Sequence, residues 1–159
     1  IEKISQAALL GFLLVILFMS IFYRFPGFLA SISLIIYVIL VLSIFKFIPV
    51  TLTLAGVTGF ILSIGMAVDA NVLIFEYAKE EMRKNKPMRI SMEDGFQRSW
   101  PAIRDSNIAT IISAIILYYF SSSMIRGFAL TLAIGVGAGL LTAIYITRIF
   151  LQTFIINKQ

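Results

Sequence analysis

Hydrophobic positions in this chain come in long blocks. Five uncharged runs, 4–23, 25–45, 47–68, 106–125 and 127–147, contain 20, 21, 22, 20 and 21 residues. A helix needs roughly 20 apolar residues to cross a hydrocarbon core. Blocks such as Leu13-Leu14-Val15-Ile16-Leu17 lack the two-residue alternation of a barrel strand. Lipid offers no partner to a bare backbone, so such segments must satisfy their own hydrogen bonds as helices. The pattern predicts transmembrane helices over 4–23, 28–46, 51–75, 101–121 and 126–149, within a single transmembrane domain, 1–159. The first run is not a signal peptide: it lacks a basic leader and four more spans follow.

Three of the expected connections are short: Arg24-Phe25-Pro26-Gly27, Lys46-Phe47-Ile48-Pro49 and residues 121–126. Short connections make neighbouring helices antiparallel. Residues 76–100 form the one long loop. It is expected to hold a charged helix from Glu76 to about Lys84 and a turn at Asn85-Lys86-Pro87. A second short helix then starts at Ser91, where Ser91-Met92-Glu93-Asp94 has capping-box spacing. Met92, Phe96 and Trp100 recur every four residues, so this helix is expected to lie in the membrane interface. Pro101 suits the first turn of the fourth span. The fold class is all-α: a five-helix transmembrane bundle with a short cytoplasmic amphipathic helical segment.

Composition narrows the function. Apolar residues make up 60% of the 159 and charged residues 13%. That is too little polar surface for a soluble monomer, and too apolar for disorder. There is no Cys and no His, which removes disulfides, thiolate or imidazole metal ligands, and imidazole catalysis. No nucleophile–base pair, metal cluster or nucleotide loop is present, so no enzyme, cofactor or metal is expected. Gly135-Val136-Gly137-Ala138-Gly139 lies inside an apolar run with no preceding strand, so it is not a dinucleotide loop. The net charge of +5 suits a membrane surface, and no nucleic acid partner is expected.

Orientation follows from Lys and Arg. Thirteen of the 21 charged residues lie between Glu76 and Asp105. One side of the membrane receives ten Lys and Arg, counting Arg24, seven between Lys79 and Arg104, Arg148 and Lys158; the other receives Lys3, Lys46 and Arg126. The positive-inside rule puts the 76–100 loop and the C-terminus in the cytoplasm and the N-terminus outside. The chain also starts without Met. A five-span stretch starting outside fits the expectation of a longer protein whose first span and an outer domain precede it. Phe22-Tyr23 and Tyr118-Tyr119-Phe120 sit at span ends, as interfacial anchors do.

The candidate chemistry centres on Asp69. Seven residues before Glu76, it sits roughly 10 Å inside the membrane at 1.5 Å per residue. An acid there is costly and marks ion or proton pathways. Its bland alternative is an Asp near a helix end that bonds backbone groups. Asp105 stands near the start of the fourth span, at similar depth, beside Arg104. A helix-dipole or ion-pair role explains it at little cost and is favoured from position alone. If both acids face the bundle interior, they define a shared cytoplasmic ion entry. Asn71 and Asn107 then hydrogen-bond whichever acid is neutral. Ser106, Thr110 and Ser113 continue a polar strip at helical spacing, either for helix–helix hydrogen bonds or for a water path. Small residues recur every four positions as Ala55, Gly59, Ser63, Ala67 and Asn71, and as Gly127, Thr131, Gly135, Gly139 and Ala143. Such faces let helix backbones approach closely. At least one is expected to meet a missing partner half.

The stretch Gly65-Met66-Ala67-Val68-Asp69-Ala70-Asn71-Val72-Leu73-Ile74-Phe75-Glu76 resembles the signature of the SecD family of bacterial protein-export membrane subunits. Phe22-Tyr23-Arg24, Glu93-Asp94-Gly95-Phe96, Asp105-Ser106-Asn107 and Gly127-Phe128-Ala129-Leu130-Thr131 match it in order and spacing. Tyr77 stands where that family usually has Arg, and Ser106 replaces its usual Ala. The resemblance implies an ion-driven membrane half of the resistance-nodulation-division type, in the bacterial inner membrane. It implies work with SecF and the SecYEG translocon on preproteins, coupled to H⁺ or Na⁺ flow. Asp69 and Asp105 would be its two membrane acids. The alternatives are a half-unit of a small-molecule or lipid exporter of the same superfamily, and a structural subunit without ion coupling.

Overall fold

The computed structural model describes residues 2–50, 52–142, 145, 149, 152 and 153. Four helices follow one another: α1 (Glu2–Phe47), α2 (Leu54–Met82), α3 (Met88–Phe120) and α4 (Ser123–Leu141). No strand occurs among the described residues. By length and composition α1, α2 and α4 can each cross a membrane. In α3 the apolar half is preceded by Arg104-Asp105-Ser106-Asn107, which lowers its hydropathy. Ala143 and Arg148 of the expected fifth span lie outside the described residues, as does Lys158.

The expected first loop contracts to one residue. At Arg24 the backbone leaves the helix, with φ 54° and ψ −121°, and α1 folds into two arms, 2–23 and 25–47. Pro26 falls in the first turn of the second arm, where its missing N–H is harmless. A Cβ on Gly27 would collide with the Met19 carbonyl, so only glycine lets the arms lie this close. The Ser20 and Ser31 hydroxyls meet across them at 3.5 Å.

The expected 76–100 loop is mostly helix. α2 runs without a break from the apolar stretch to Met82, because a helix leaving the membrane keeps its internal hydrogen bonds. Its 29 residues extend about 43 Å, beyond a core of roughly 30 Å. Thr53 caps its start, accepting from the Gly56 N–H at 3.2 Å. Asn85, at φ 61°, turns the chain into α3. The separate amphipathic helix starting at Ser91 is not found. α3 begins at Met88 after Pro87 and continues through Pro101. The Met92, Phe96 and Trp100 stripe packs on α2: Met92 is 2% exposed in a cluster with Phe75 and Ala78, and Phe96 and Trp100 pack against that cluster. Gly95 makes this approach possible, since a Cβ there would lie 2.7 Å from the Ala78 nitrogen.

α2 is central, packed on both α3 and α4, and α1 joins α2 and α4 more sparingly. The small-residue faces of α2 and α4 meet each other. A Cβ on Gly59 would lie 2.6 Å from the Phe128 carbonyl oxygen, and one on Gly135 would lie 2.5 Å from Ser63 Cβ. Gly139 faces Tyr37 and Ala67 at ordinary contact distance. The close packing expected of Gly59, Ser63, Gly135 and Gly139 is therefore used within this chain. Thr131 donates across the same seam to the Gly56 carbonyl at 2.7 Å. The Arg24 break and the α2–α3 turn share one end of the bundle, where Tyr23 clusters with Phe75, Ala78 and Met92. Thr53 and Gly127 share the other end. Large apolar side chains such as Leu13, Leu17, Ile39, Leu62 and Ile116 remain exposed. Apolar exposure on this scale belongs against hydrocarbon or a partner.

Candidate functional site: an acid-bearing groove between α2 and α3

Asp69 lines a cavity of about 210 Å³ together with Met66, Ala70 and Leu73 of α2 and Ile103, Ser106, Asn107 and Thr110 of α3. The α2 members recur at three- and four-residue spacing, so they share one helical face. Asp69 is exposed and makes no hydrogen bond or ion pair with the described residues. Across from it, polar side chains are tied to their own helix. Ser106 Oγ and Asn107 Nδ2 donate to the Ile103 carbonyl at 3.1 and 2.6 Å, and Thr110 Oγ1 donates to the Ser106 carbonyl at 3.0 Å. Both hydroxyl protons and one of the two Asn107 amide protons are thereby committed. The hydroxyl lone pairs and the amide oxygen of Asn107 remain able to accept. One carboxyl beside three such oxygens is a setting for a proton or a hard cation.

Three of the residues singled out in the sequence thus come together with Asp69: Ser106, Asn107 and Thr110. Asp105 does not line this groove. It lies about 200° round α3 from Ile103 at 100° per residue. Its Oδ1 accepts from Arg104 Nε at 2.9 Å, and its side chain is 67% exposed. The expected meeting of the two acids in one groove is therefore not found within this chain. Asn71 is buried beside the groove on α2.

Other polar sites escape sequence reasoning. Tyr37 is fully buried in the second arm of α1. Its hydroxyl donates to the Gly135 carbonyl at 2.9 Å and meets Ser63 Oγ at 2.8 Å, joining α1, α2 and α4. A lone Tyr inside an apolar run was the available signal, because a buried hydroxyl needs a partner. Glu81 is 3% exposed at the end of α2. It accepts from Lys84 at 3.0 Å, Lys86 at 2.6 Å and Arg98 at 2.7 Å. The hydrogen bonds from Lys86 and Lys84 lead in pulling its carboxyl down to about 2. Its carboxylate in turn raises Lys86 and Arg98. The Arg98 guanidinium also lies 4.7 Å over the Tyr77 ring, so a cation from α3 covers that position.

The family described as protein export membrane protein SecD/SecF, C-terminal, matches residues 1–157. The chain belongs to the SecD/SecF protein-export membrane family. Its SecD character, expected from the Asp69 motif, is borne out by relatives named protein translocase subunit SecD. The one from Thermobaculum terrenum is 51% identical over 96% of this chain and 30% of its own length. The one from Synechocystis sp. is 50% identical over 99% of this chain and 33% of its own length. A crystal structure of SecDF, a translocon-associated membrane protein from Thermus thermophilus, matches with TM-score 0.87 and 37% identity, covering 96% of this chain and 21% of that one. SecDF in a super-membrane-facing form matches with TM-score 0.90 and 38% identity, again over 96% and 21%. The chain therefore spans about a third of these SecD relatives and about a fifth of the SecDF chains.

Proposed function

We propose that this chain is the ion-coupling membrane half of a SecD-type component of the Sec protein-export machinery. It acts with a SecF-like half and the SecYEG translocon on preproteins, driven by H⁺ or Na⁺. The observation that carries the proposal is Asp69: an acid without an ion pair among the described residues, set between apolar helices opposite Ser106, Asn107 and Thr110. Removing an ionised carboxylate from water costs several kcal/mol by most estimates, so an acid at that position implies use. Asp69 takes up and releases the ion, and the oxygens of α3 form the passage beside it. Asn71 supports the same stretch of α2. Asp105 is the second acid, held at the cytoplasmic rim by Arg104.

The two arms of α1 count as separate spans in this reading, and the apolar part of α3 as another, which gives five. Membership of a bacterial export family supports placement in the inner membrane. The charge count supports a cytoplasmic α2–α3 hairpin and C-terminus, with the N-terminus of the chain outside. The test uses the full-length protein with its partners in vesicles, with pH and sodium gradients imposed separately. Asp69→Asn is expected to abolish gradient-dependent export and Asp105→Asn to reduce it. Export by Asp69→Asn that still responds to either gradient would remove the ion-coupling role and leave a structural subunit.

A further inference from the structure

Where α1 folds at Arg24, the chain leaves a cavity of about 460 Å³ between α1, α2 and the start of α3. Its lining joins two cations, Arg24 and Lys79, to apolar Phe25, Met82, Met88 and Met92. Met92 is buried, whereas Phe25 and Met88 are 45% and 42% exposed, so the cavity opens outward. The Lys79 ammonium lies 5.0 Å from the Phe22 ring centroid and 4.7 Å from that of Tyr23. It is 3.8 Å from Glu76 Oε1, to which the Tyr23 hydroxyl also donates at 2.7 Å. Glu76 therefore balances only one of the two positive charges. Arg24 makes no hydrogen bond or ion pair with the described residues. It also occupies a left-handed backbone conformation, φ 54°, that a non-glycine residue avoids. The strained backbone is what folds α1 back between its two arms.

We propose that this cavity binds an anionic phospholipid. The headgroup phosphate lies between Arg24 and Lys79, and an acyl chain runs over Met82, Met88 and Phe25. The inference rests on the reading that both arms of α1 span the membrane, because Arg24 then stands at the hydrocarbon–water boundary, the level of lipid phosphates. A guanidinium offers paired donors to phosphate oxygens, and basic pockets between membrane helices bind anionic headgroups. Methionines adapt to a flexible apolar chain. A free phosphate ion would meet the two cations and leave the Met and Phe walls uncovered, which favours a lipid over an inorganic anion.

The test is native mass spectrometry of the full-length protein, counting lipids retained from mixed phosphatidylglycerol and phosphatidylcholine micelles. The wild type is expected to keep one phosphatidylglycerol in preference. Arg24→Gln and Lys79→Gln should each lower that retention about fivefold, the effect of one charge at a membrane surface. Arg24→Lys should keep most of it. Met88→Trp should lower retention by filling the cavity with both cations intact, which covers the case that an Arg24 variant misfolds. Arg126→Gln, at the other end of the bundle, should change nothing. Unchanged retention in the Lys79→Gln and Met88→Trp variants would overturn the proposal. So would equal loss in Arg126→Gln, or displacement of the lipid by millimolar inorganic phosphate. Topology reporters on either side of Arg24 test the span count separately, so its failure is distinguishable from failure of lipid binding.

Discussion

Gly135→Ala is a sensitive probe of the α2–α4 seam. The added methyl would lie 2.5 Å from Ser63 Cβ and 3.2 Å from the Tyr37 hydroxyl. Ordinary carbon contacts are about 3.5–4.0 Å, so the helices must part locally by about 1 Å. Overpacking of this kind costs about 1–3 kcal/mol. The same displacement stretches the Tyr37 bonds to Gly135 and Ser63, now 2.9 and 2.8 Å, at about 0.6 kcal/mol for each interhelical bond weakened. Alanine recovers about 1 kcal/mol of helix propensity. The net loss is about 1–3 kcal/mol. Gly137, two residues on, has open space where a methyl would sit, so Gly137→Ala should be neutral or more stable by up to about 1 kcal/mol. Adding Ser63→Gly to Gly135→Ala removes the Ser63 Cβ and Oγ that crowd the new methyl, though not the Tyr37 hydroxyl, and should recover part of the loss. Thermal unfolding of the purified full-length protein in one detergent, with all variants side by side, gives the comparison. Equal stability of Gly135→Ala and Gly137→Ala would show that the seam is looser than described and refute the reasoning.

Glu81 supplies a pH dependence. Its carboxyl stands at about 2 against a usual 4.5, so the folded state binds its proton less readily than the unfolded state. The stabilisation is complete above about pH 4.5 and is lost as pH falls through about 2; the wild-type melting temperature should drop across that window, and Glu81→Gln should start lower and fall less. Parallel curves for the two proteins would remove the three-cation clamp as the cause. Reporters inserted near Lys84 should read cytoplasmic, and those near Pro49 and Ser122 external; the opposite pattern would reverse the orientation. Tyr37→Phe removes the donor to the Gly135 carbonyl and should cost about 0.6–2 kcal/mol in the same unfolding assay, with no loss meaning that the hydroxyl is not held across the three helices.

The sequence alone determined that the chain is helical and apolar, where its charges concentrate, and that Asp69 is an acid in an apolar setting. These are local properties: run length, charge spacing and the cost of one carboxyl out of water. The Asp69 motif also carried the family. Which faces meet was decided only by the tertiary structure. In a membrane, lipid-facing and protein-facing sides are both apolar, so hydropathy does not reveal the inner face. The four-residue glycine stripes signalled close approach, but both partners, Gly59 with Thr131 and Ser63 with Gly135, had to be seen together. Asp69 and Asp105 are expected at similar depth from their positions along the spans, yet helical phase turns Asp105 away from the groove, and a phase error of one residue is about 100°. Continuity through Pro101 and the burial of Glu81 were equally hidden. The hairpin of α2 and α3 outside the apolar stretch is held by contacts between residues far apart in sequence, such as Ala78 with Gly95 and Glu81 with Arg98. Those contacts exist only once both helices have formed and docked.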